Sequence, residues 1–373
     1  MNFYLILSLL CVPPIFTQEQ LSLLESMANP IIESDSTNAV EQNEQAAIIG
    51  QHLFFDPQFS ANGEVSCATC HKAELYFTDG QAVSTGISAV TRNAPTVLNA
   101  AHQRWFFWDG RADTLWGQPI QTFEHPAEMG ADRNNIANIV TSDPVYATLW
   151  QEVFGDSKDD PVDETAANVA KCLAAYETKL VALDAPFDRF ALGDKTAMSE
   201  SAQRGLLFFI GEGGCLRCHF GPWFTDGAFH TVGVGPLDGG ALRDAGRFDA
   251  IEKLQTSKFT ARSAQSDDQK GTRAIISKHI ARRREDWGAF RTPSLRNVAK
   301  TPPYMHAGQL ATLADVVEHY STLENFVTAD HHRETILVPL DLDTQGKVDL
   351  IAFLKSLTGS PPPDHLLKSP PIR

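Results

Sequence analysis

This chain has no disulfide framework, little positive charge and no long apolar run. It has six cysteines in 373 residues: Cys11, Cys67, Cys70, Cys172, Cys215 and Cys218. Four fall into two tight pairs, and the two left over are too few for a bridge-stapled fold. Cys172 lies in a helix-like run, Asn168-Val169-Ala170-Lys171-Cys172-Leu173, and reads as a small buried hydrophobe. Lys and Arg number 31 against 46 Asp and Glu, a formal charge of −15. That deficit disfavours nucleic acid and anionic membranes as partners. It suits a basic protein partner, although solubility alone accounts for it. No segment is apolar over the length a membrane span needs, so the protein is expected not to be integral to a membrane. Residues 4–12 are apolar but too short to span, and Pro13-Pro14 follows them. They resemble the core of a secretory signal, with residues 1–17 as the leader. No Lys or Arg precedes them, and Ile15-Phe16-Thr17 makes a poor cleavage site. Leu9-Leu10 before Cys11 argues against a lipid anchor. Alternating strand patterns are scarce, which makes the expected class all-α.

What is present is a phrase written twice. Cys67-Ala68-Thr69-Cys70-His71 and Cys215-Leu216-Arg217-Cys218-His219 are both C-x-x-C-H, the attachment site of a c-type haem. Two thiols three residues apart lie on one face of a helical turn, where each can form a thioether to one porphyrin edge. The adjacent His then reaches the iron. A zinc or redox Cys pair explains one copy, but two copies each followed by His point to two covalent c-type haems. Thioether attachment normally happens outside the bacterial cytoplasm, so the expected location is the periplasm.

Each motif is preceded by the same plan of helix, glycine turn and motif. Residues 45–56 form an amphipathic pattern ending near Pro57, with Gly63 in the turn. Residues 199–209 repeat it, followed by Gly211, Gly213 and Gly214. The expected organisation is an arm or surface helix over 18–42 and two cytochrome c-like domains over 43–192 and 193–358. A long insertion or surface loop is expected over 233–289, and an extended or flexible tail over 359–373. Two helices close the second half. One follows the capping signal Thr312-x-x-Asp315 to about Leu323, and the other runs from Gly346 to Leu357.

His71 and His219 take one axial position on each iron. Candidates for the other position on the second iron are Met305, His306, His319 and Tyr320. Leu313, Val316, Val317 and Tyr320 share one helical stripe, and His319 lies off it. On pattern alone Tyr320 reads as a core aromatic, and the ligand stays open.

Further motifs carry a resemblance. They include Gly50-Gln51-His52-Leu53-Phe54-Phe55-Asp56-Pro57, Arg92-Asn93-Ala94-Pro95-Thr96-Val97-Leu98-Asn99 and Phe107-Trp108-Asp109-Gly110-Arg111-Ala112. Pro126-Ala127-Glu128-Met129-Gly130, Arg291-Thr292-Pro293-Ser294-Leu295-Arg296-Asn297-Val298 and Thr301-Pro302-Pro303-Tyr304-Met305-His306 continue them. With these motifs, residues 43–358 resemble the bacterial di-haem cytochrome c peroxidase family and, within it, the MauG-like branch.

The resemblance implies that Tyr320 replaces the usual Met as the second haem's sixth ligand, leaving Met305 and His306 as packing residues. A hard, anionic tyrosinate favours the higher iron oxidation states, whereas a thioether favours Fe(II). Residues 72–92 contain no His and no Met. By resemblance, the first haem is therefore five-coordinate and open to hydrogen peroxide. The resemblance also implies Glu128 as acid/base with Gln118 beside it, Trp108 between the haems, and one Ca2+ held at Asn93, Thr301 and Pro303.

The expected activity is an H2O2-dependent oxidase that holds two oxidising equivalents over two haems. It oxidises a Trp or Tyr of a partner protein, with Trp223 or Trp287 as surface exits. The loop after Gly239 leans toward the methanobactin-associated, tryptophan-oxidising subgroup. The alternative is a cytochrome c peroxidase that draws electrons from a small cytochrome.

Overall fold

The structure, a computed structural model, describes residues 15–157, 159–328 and 334–371. Residues 1–14 of the expected leader, with Cys11, lie outside the described residues. The first half contains α1 (Gln18–Ala28), α2 (Glu44–Phe55), the single turn α3 (Cys67–Cys70) and α4 (Gly117–Glu124). It continues with α5 (Arg133–Ser142), α6 (Pro144–Phe154), α7 (Val162–Glu177) and α8 (Pro186–Ala191). Then come α9 (Glu200–Ile210), α10 (Arg247–Thr256), α11 (Thr272–His279), α12 (Leu313–Thr322) and α13 (Thr344–Lys355). Strands β1 (Phe229–His230) and β2 (Phe290–Arg291) form a two-residue antiparallel pair. The molecule is helix-rich, in line with the composition.

The two halves are built on the same device. Asn43 caps α2 by accepting from the Ala46 N–H, and Ser199 caps α9 by accepting from the Ala202 N–H. Each helix then crosses the last long helix of its half at a glycine. A Cβ on Gly50 would lie 1.9 Å from the Cys172 carbonyl oxygen of α7. A Cβ on Gly205 would lie 2.0 Å from the Asp349 carbonyl oxygen of α13. Only a residue without a side chain allows either approach. Cys172 is fully buried at its crossing, as a small apolar residue should be.

Each half has its own main hydrophobic core, and a third, smaller cluster of Phe106, Trp116, Ile120, Ala170 and Phe259 packs on α7. The first gathers Ile49, Leu53 and Phe54 of α2 with Val169, Leu173 and Tyr176 of α7 and residues of α5 and α6. The second gathers Leu206 and Phe209 of α9, Val317 of α12 and Phe353 of α13. Each such side chain, fully buried, contributes about 1.5–3 kcal/mol.

Four details depart from the sequence reading. First, of the arm or surface helix expected over 18–42, residues Gln18–Ala28 form the surface helix, and its Leu24 and Met27 reach into the second core. Second, that core begins before residue 193, since Phe187 and Phe190 of α8 belong to it. Arg296 binds both oxygens of Asp188 at 3.0 Å and also donates to the Met27 carbonyl, which holds α1 and α8 on this side.

Third, residues 233–289 contain α10 and α11 and are fastened to the first half. Asp244 pairs with Arg92 at 2.7 Å, Lys171 with Asp267 at 2.8 Å, and Arg247 donates to the Gly110 carbonyl at 2.6 Å. The short apolar pattern of α10 was hidden in a polar sequence, yet Ala250, Ile251 and Leu254 are buried. Fourth, the tail packs back on the first core. Gln51 donates to the carbonyls of His365 and Lys368, and Tyr176 to that of Leu366. These contacts join residues far apart in the chain, so no local pattern announces them.

Candidate active site

Ser66 starts the turn α3, and its N–H donates to Thr69 Oγ1 at 3.0 Å. Cys67, Cys70 and His71 open together onto a cavity of about 460 Å³. The His71 N–H at Nδ1 faces the Phe77 carbonyl at 3.1 Å. Burial lowers the ring's pKa, and the Phe77 and Pro95 carbonyls oppose that shift. A ring held this way is a neutral imidazole with Nε2 as its lone-pair nitrogen, the form that ligates a metal.

The second motif repeats the arrangement. His219 Nδ1 faces the Phe224 carbonyl at 2.9 Å, and burial again lowers the pKa. Burial raises the Cys67 thiol strongly, raises Cys70 to about 11 and raises Cys215 to about 12. Burial therefore keeps these thiols neutral, poised for covalent attachment rather than as free thiolates. Two cysteines and a lone-pair imidazole on the wall of one large cavity fit a covalently held haem.

The cavity also collects most of the residues expected around the first haem. Gln118, Glu128 and Trp108 all line it. Gln118 Nε2 donates to Thr122 Oγ1 at 3.1 Å, one turn along α4. Glu128 sits 3.7 Å from His125. Its backbone is propped by the 72–92 segment, through Ile87 N–H to the Glu128 carbonyl (2.9 Å) and Ser88 N–H to the Ala127 carbonyl (3.0 Å). No His or Met from that segment lines the cavity. The Trp108 indole N–H donates to the Asn93 carbonyl at 3.0 Å.

Asn93 is buried, its side-chain N–H donates to the Gln81 carbonyl at 2.7 Å, and its backbone N–H donates to the His306 carbonyl at 2.9 Å. The Asn93 motif therefore lies against the segment that carries Thr301 and Pro303. The Asn93 side-chain oxygen has no hydrogen bond among the described residues, and Thr301 Oγ1 donates only to the Val298 carbonyl at 3.3 Å. These are oxygen donors of the kind a hard cation takes.

Around the second motif the candidates separate. The capping box of α12 forms, with Thr312 N–H on Asp315 Oδ2 at 2.8 Å. His306 is stacked on Phe290 at 3.8 Å and bonded to Gln309. His319 Nε2 is engaged with the Val232 carbonyl at 3.0 Å. Tyr320 shares the stripe of the buried Leu313 and Val317. Burial, then the charges of Cys218 and Cys215, raise its phenol above the usual value. Its hydroxyl has no hydrogen bond among the described residues. Trp223 stacks on His102 at 4.2 Å, and Trp287 meets Phe248 edge-on at 5.6 Å. Both Trp residues are half-buried.

The sequence reading missed three groups. His230 lies between Asp226 (2.9 Å) and Glu334 (3.0 Å), and its pKa is raised to about 11, chiefly by Asp226. It forms a cluster with Cys218, but that cysteine belongs to the haem motif, so the cluster is not read as a separate metal site. Glu177 is buried on the cavity wall, and burial raises its pKa to about 8. Arg291 is the third. Each sits in a segment with no distinguishing pattern, apart from the arginine inside the Arg291-Thr292-Pro293 motif.

A helical protein whose two halves each carry a C-x-x-C-H turn fits the class of di-haem c-type proteins. Residues 44–196 match the family described as Di-haem cytochrome c peroxidase. The chain is 36% identical over 318 residues to the methylamine utilization protein MauG of Methylorubrum extorquens, covering 84% of this chain and 78% of that protein. It is 34% identical over 317 residues to the cytochrome-c peroxidase IdrP2 of Denitromonas iodatirespirans, covering 84% of this chain and 81% of that one. A crystal structure of a MauG-like protein associated with microbial copper homeostasis superposes with a TM-score of 0.70 at 28% identity, covering 92% of this chain and 96% of that one.

The chain therefore belongs to the di-haem cytochrome c peroxidase family. It is an oxidoreductase that acts with hydrogen peroxide, and the family implies two c-type haems. No helix among the described residues is long and apolar enough to cross a membrane.

Proposed function

We propose that this chain is a MauG-type oxidase of the periplasm that uses H2O2 to oxidise a Trp or Tyr of a partner protein. The observation that carries the reading is the contrast between the two motifs. The first opens on a cavity with Glu128 and without His or Met from residues 72–92. Beside the second, Tyr320 shares the stripe of the buried Leu313 and Val317 on α12, where the charges of Cys218 and Cys215 act on its phenol. When bound, the two haems supply peroxide cleavage and hold two oxidising equivalents. Glu128 takes a proton from one peroxide oxygen and returns it to the other, so that water leaves. Gln118, held by Thr122, orients the peroxide. Trp108, fixed by the Asn93 carbonyl, passes charge between the halves. Tyr320 would hold the second haem's iron as a phenolate, since a ferric ion would outweigh the burial that otherwise keeps the phenol neutral. One Ca2+ at Asn93, Thr301 and Pro303 holds the segments on either side of Trp108. The likeness to the MauG-like protein associated with microbial copper homeostasis supports the MauG-type reading.

The second reading is a cytochrome c peroxidase fed by a small cytochrome. It is favoured by the likeness to IdrP2 over the same span. Electron paramagnetic resonance of the resting ferric protein separates the two. The MauG-type reading expects one high-spin haem and one low-spin His/Tyr haem, with only the low-spin signal altered in Tyr320→Phe. A second haem indifferent to that change rules the reading out.

A further inference from the structure

The chain buries several guanidinium groups, and all but one of those that matter here have an acid at hand. Arg296 is 3% exposed and grips Asp188 with two bonds of 3.0 Å. Arg92 pairs with Asp109 at 2.5 Å and Asp244 at 2.7 Å. Arg111 pairs with Asp109 at 3.2 Å. Arg247 has two carbonyls and two aromatic faces, and Asp286 and Asp109 act on its charge.

Arg291 differs. It is 5% exposed, and its side chain makes only two long bonds, both of 3.4 Å, to the carbonyls of Phe107 and Thr292. It forms no ion pair among the described residues. Burial alone lowers its pKa to about 10, with no carboxylate acting on it. Burying a cation in this way costs several kcal/mol unless an anion completes it.

The location identifies the anion. Arg291 belongs to β2 in the second half, yet it lines the cavity of Cys67, Cys70 and His71 in the first. Its backbone N–H donates to the Trp108 carbonyl at 2.8 Å, which fixes it beside the indole on the cavity wall. Glu128 and Glu177 line the same cavity without acting on it. A haem attached at Cys67 and Cys70 brings two propionate carboxylates into that space.

We propose that Arg291 is the counter-ion of a propionate of the first haem, so that the second half clasps the first half's cofactor. A guanidinium fork matches a carboxylate with two parallel bonds. Its fixed positive charge favours the reduced iron and so holds the first haem's potential up. Arg291 acts here as a positioning residue. It touches neither peroxide nor iron.

The proposal rests on the first motif holding a haem, which is checked separately. If the Cys67→Ala/Cys70→Ala variant has the same covalent haem content as the native protein, that premise fails, whatever Arg291 does. The test of Arg291 itself uses the native holoprotein, Arg291→Gln and Arg291→Lys. Spectroelectrochemistry reads each haem's potential, and resonance Raman reads the propionate bending bands. Arg291→Gln is expected to shift the first haem's potential downward and to move its propionate bands. The second haem's EPR signal should stay where it is, and Arg291→Lys should restore most of the potential. If Arg291→Gln does not fold, Arg291→Lys alone decides, because loss of the planar fork must still move the propionate bands. Unmoved bands and an unmoved potential in a folded variant overturn the proposal. So does a first-haem potential that tracks chloride concentration with unmoved bands, which would assign Arg291 to a solution anion.

Discussion

The two C-x-x-C-H turns are nearly alike in themselves and unlike in what stands opposite them. In both, a histidine is held at Nδ1 by the carbonyl of a phenylalanine, 3.1 Å away in the first and 2.9 Å in the second. In both halves the preceding helix crosses the closing helix at a glycine. The first turn looks onto a broad cavity with a carboxylate and an amide in its wall. The second is approached by one phenol from α12, and burial raises that phenol's pKa. A repeated scaffold therefore sets the two motif histidines in the same way. On the proposed reading, the chemistry is decided by segments outside the repeat: residues 72–92 and 118–128 in one half, and α12 in the other.

The strongest way to break this comparison is to remove the anchors one half at a time. Cys67→Ala/Cys70→Ala and Cys215→Ala/Cys218→Ala are each expected to lose one covalent haem, seen as the loss of one haem mass in the intact-protein spectrum. Loss of both from either variant would show that the halves do not bind independently.

Next comes the Glu128 carboxylate in the wall of the first cavity. Glu128→Gln should lower turnover with H2O2 by roughly 10²–10⁴-fold, the usual worth of a positioned acid/base, while both haems keep their spectra. A stopped-flow rate equal to the native one would remove Glu128 from the chemistry.

The scaffold repeat can be sharpened by stability. Gly50→Ala and Gly205→Ala each push a methyl group into a backbone carbonyl, at a cost of about 1–3 kcal/mol or more. Urea unfolding followed at each haem should show the first variant loosening the first half and the second variant the other.

The smallest effect concerns Glu177, which lines the first cavity. Its folded pKa is raised by burial from 4.5 to about 8, so the folded state binds its proton more tightly than the unfolded chain does. Stability from this group is full below about 4.5 and declines as pH rises toward about 8. Glu177→Gln should flatten that decline in the melting temperature. An unchanged pH profile would mean the carboxyl is solvated.

The parts legible in the sequence were the local ones. Two cysteines and a histidine in five residues name their chemistry, the Thr312–Asp315 box marks the start of a helix, and the stripe from Leu313 to Tyr320 turns the phenol inward. Most of the cavity wall was reachable only through family motifs, because Gln118, Glu128 and Trp108 sit on separate segments with no shared period. The rest was not legible because it depends on pairings across the chain. The polar stretch 233–289 looks like a loop until Asp244 finds Arg92 and Asp267 finds Lys171. Arg291 and Arg296 are five residues apart in one motif, and nothing in their spelling says that only one of them has an acid beside it.

The stretch after α13 has a consequence of its own. It leaves the carboxy-terminal core and is stitched to the amino-terminal one through Gln51 and Tyr176. The polypeptide thus closes on itself like a buckled strap. Trimming its end would slacken not the domain it follows but the opposite one, which holds the large cavity.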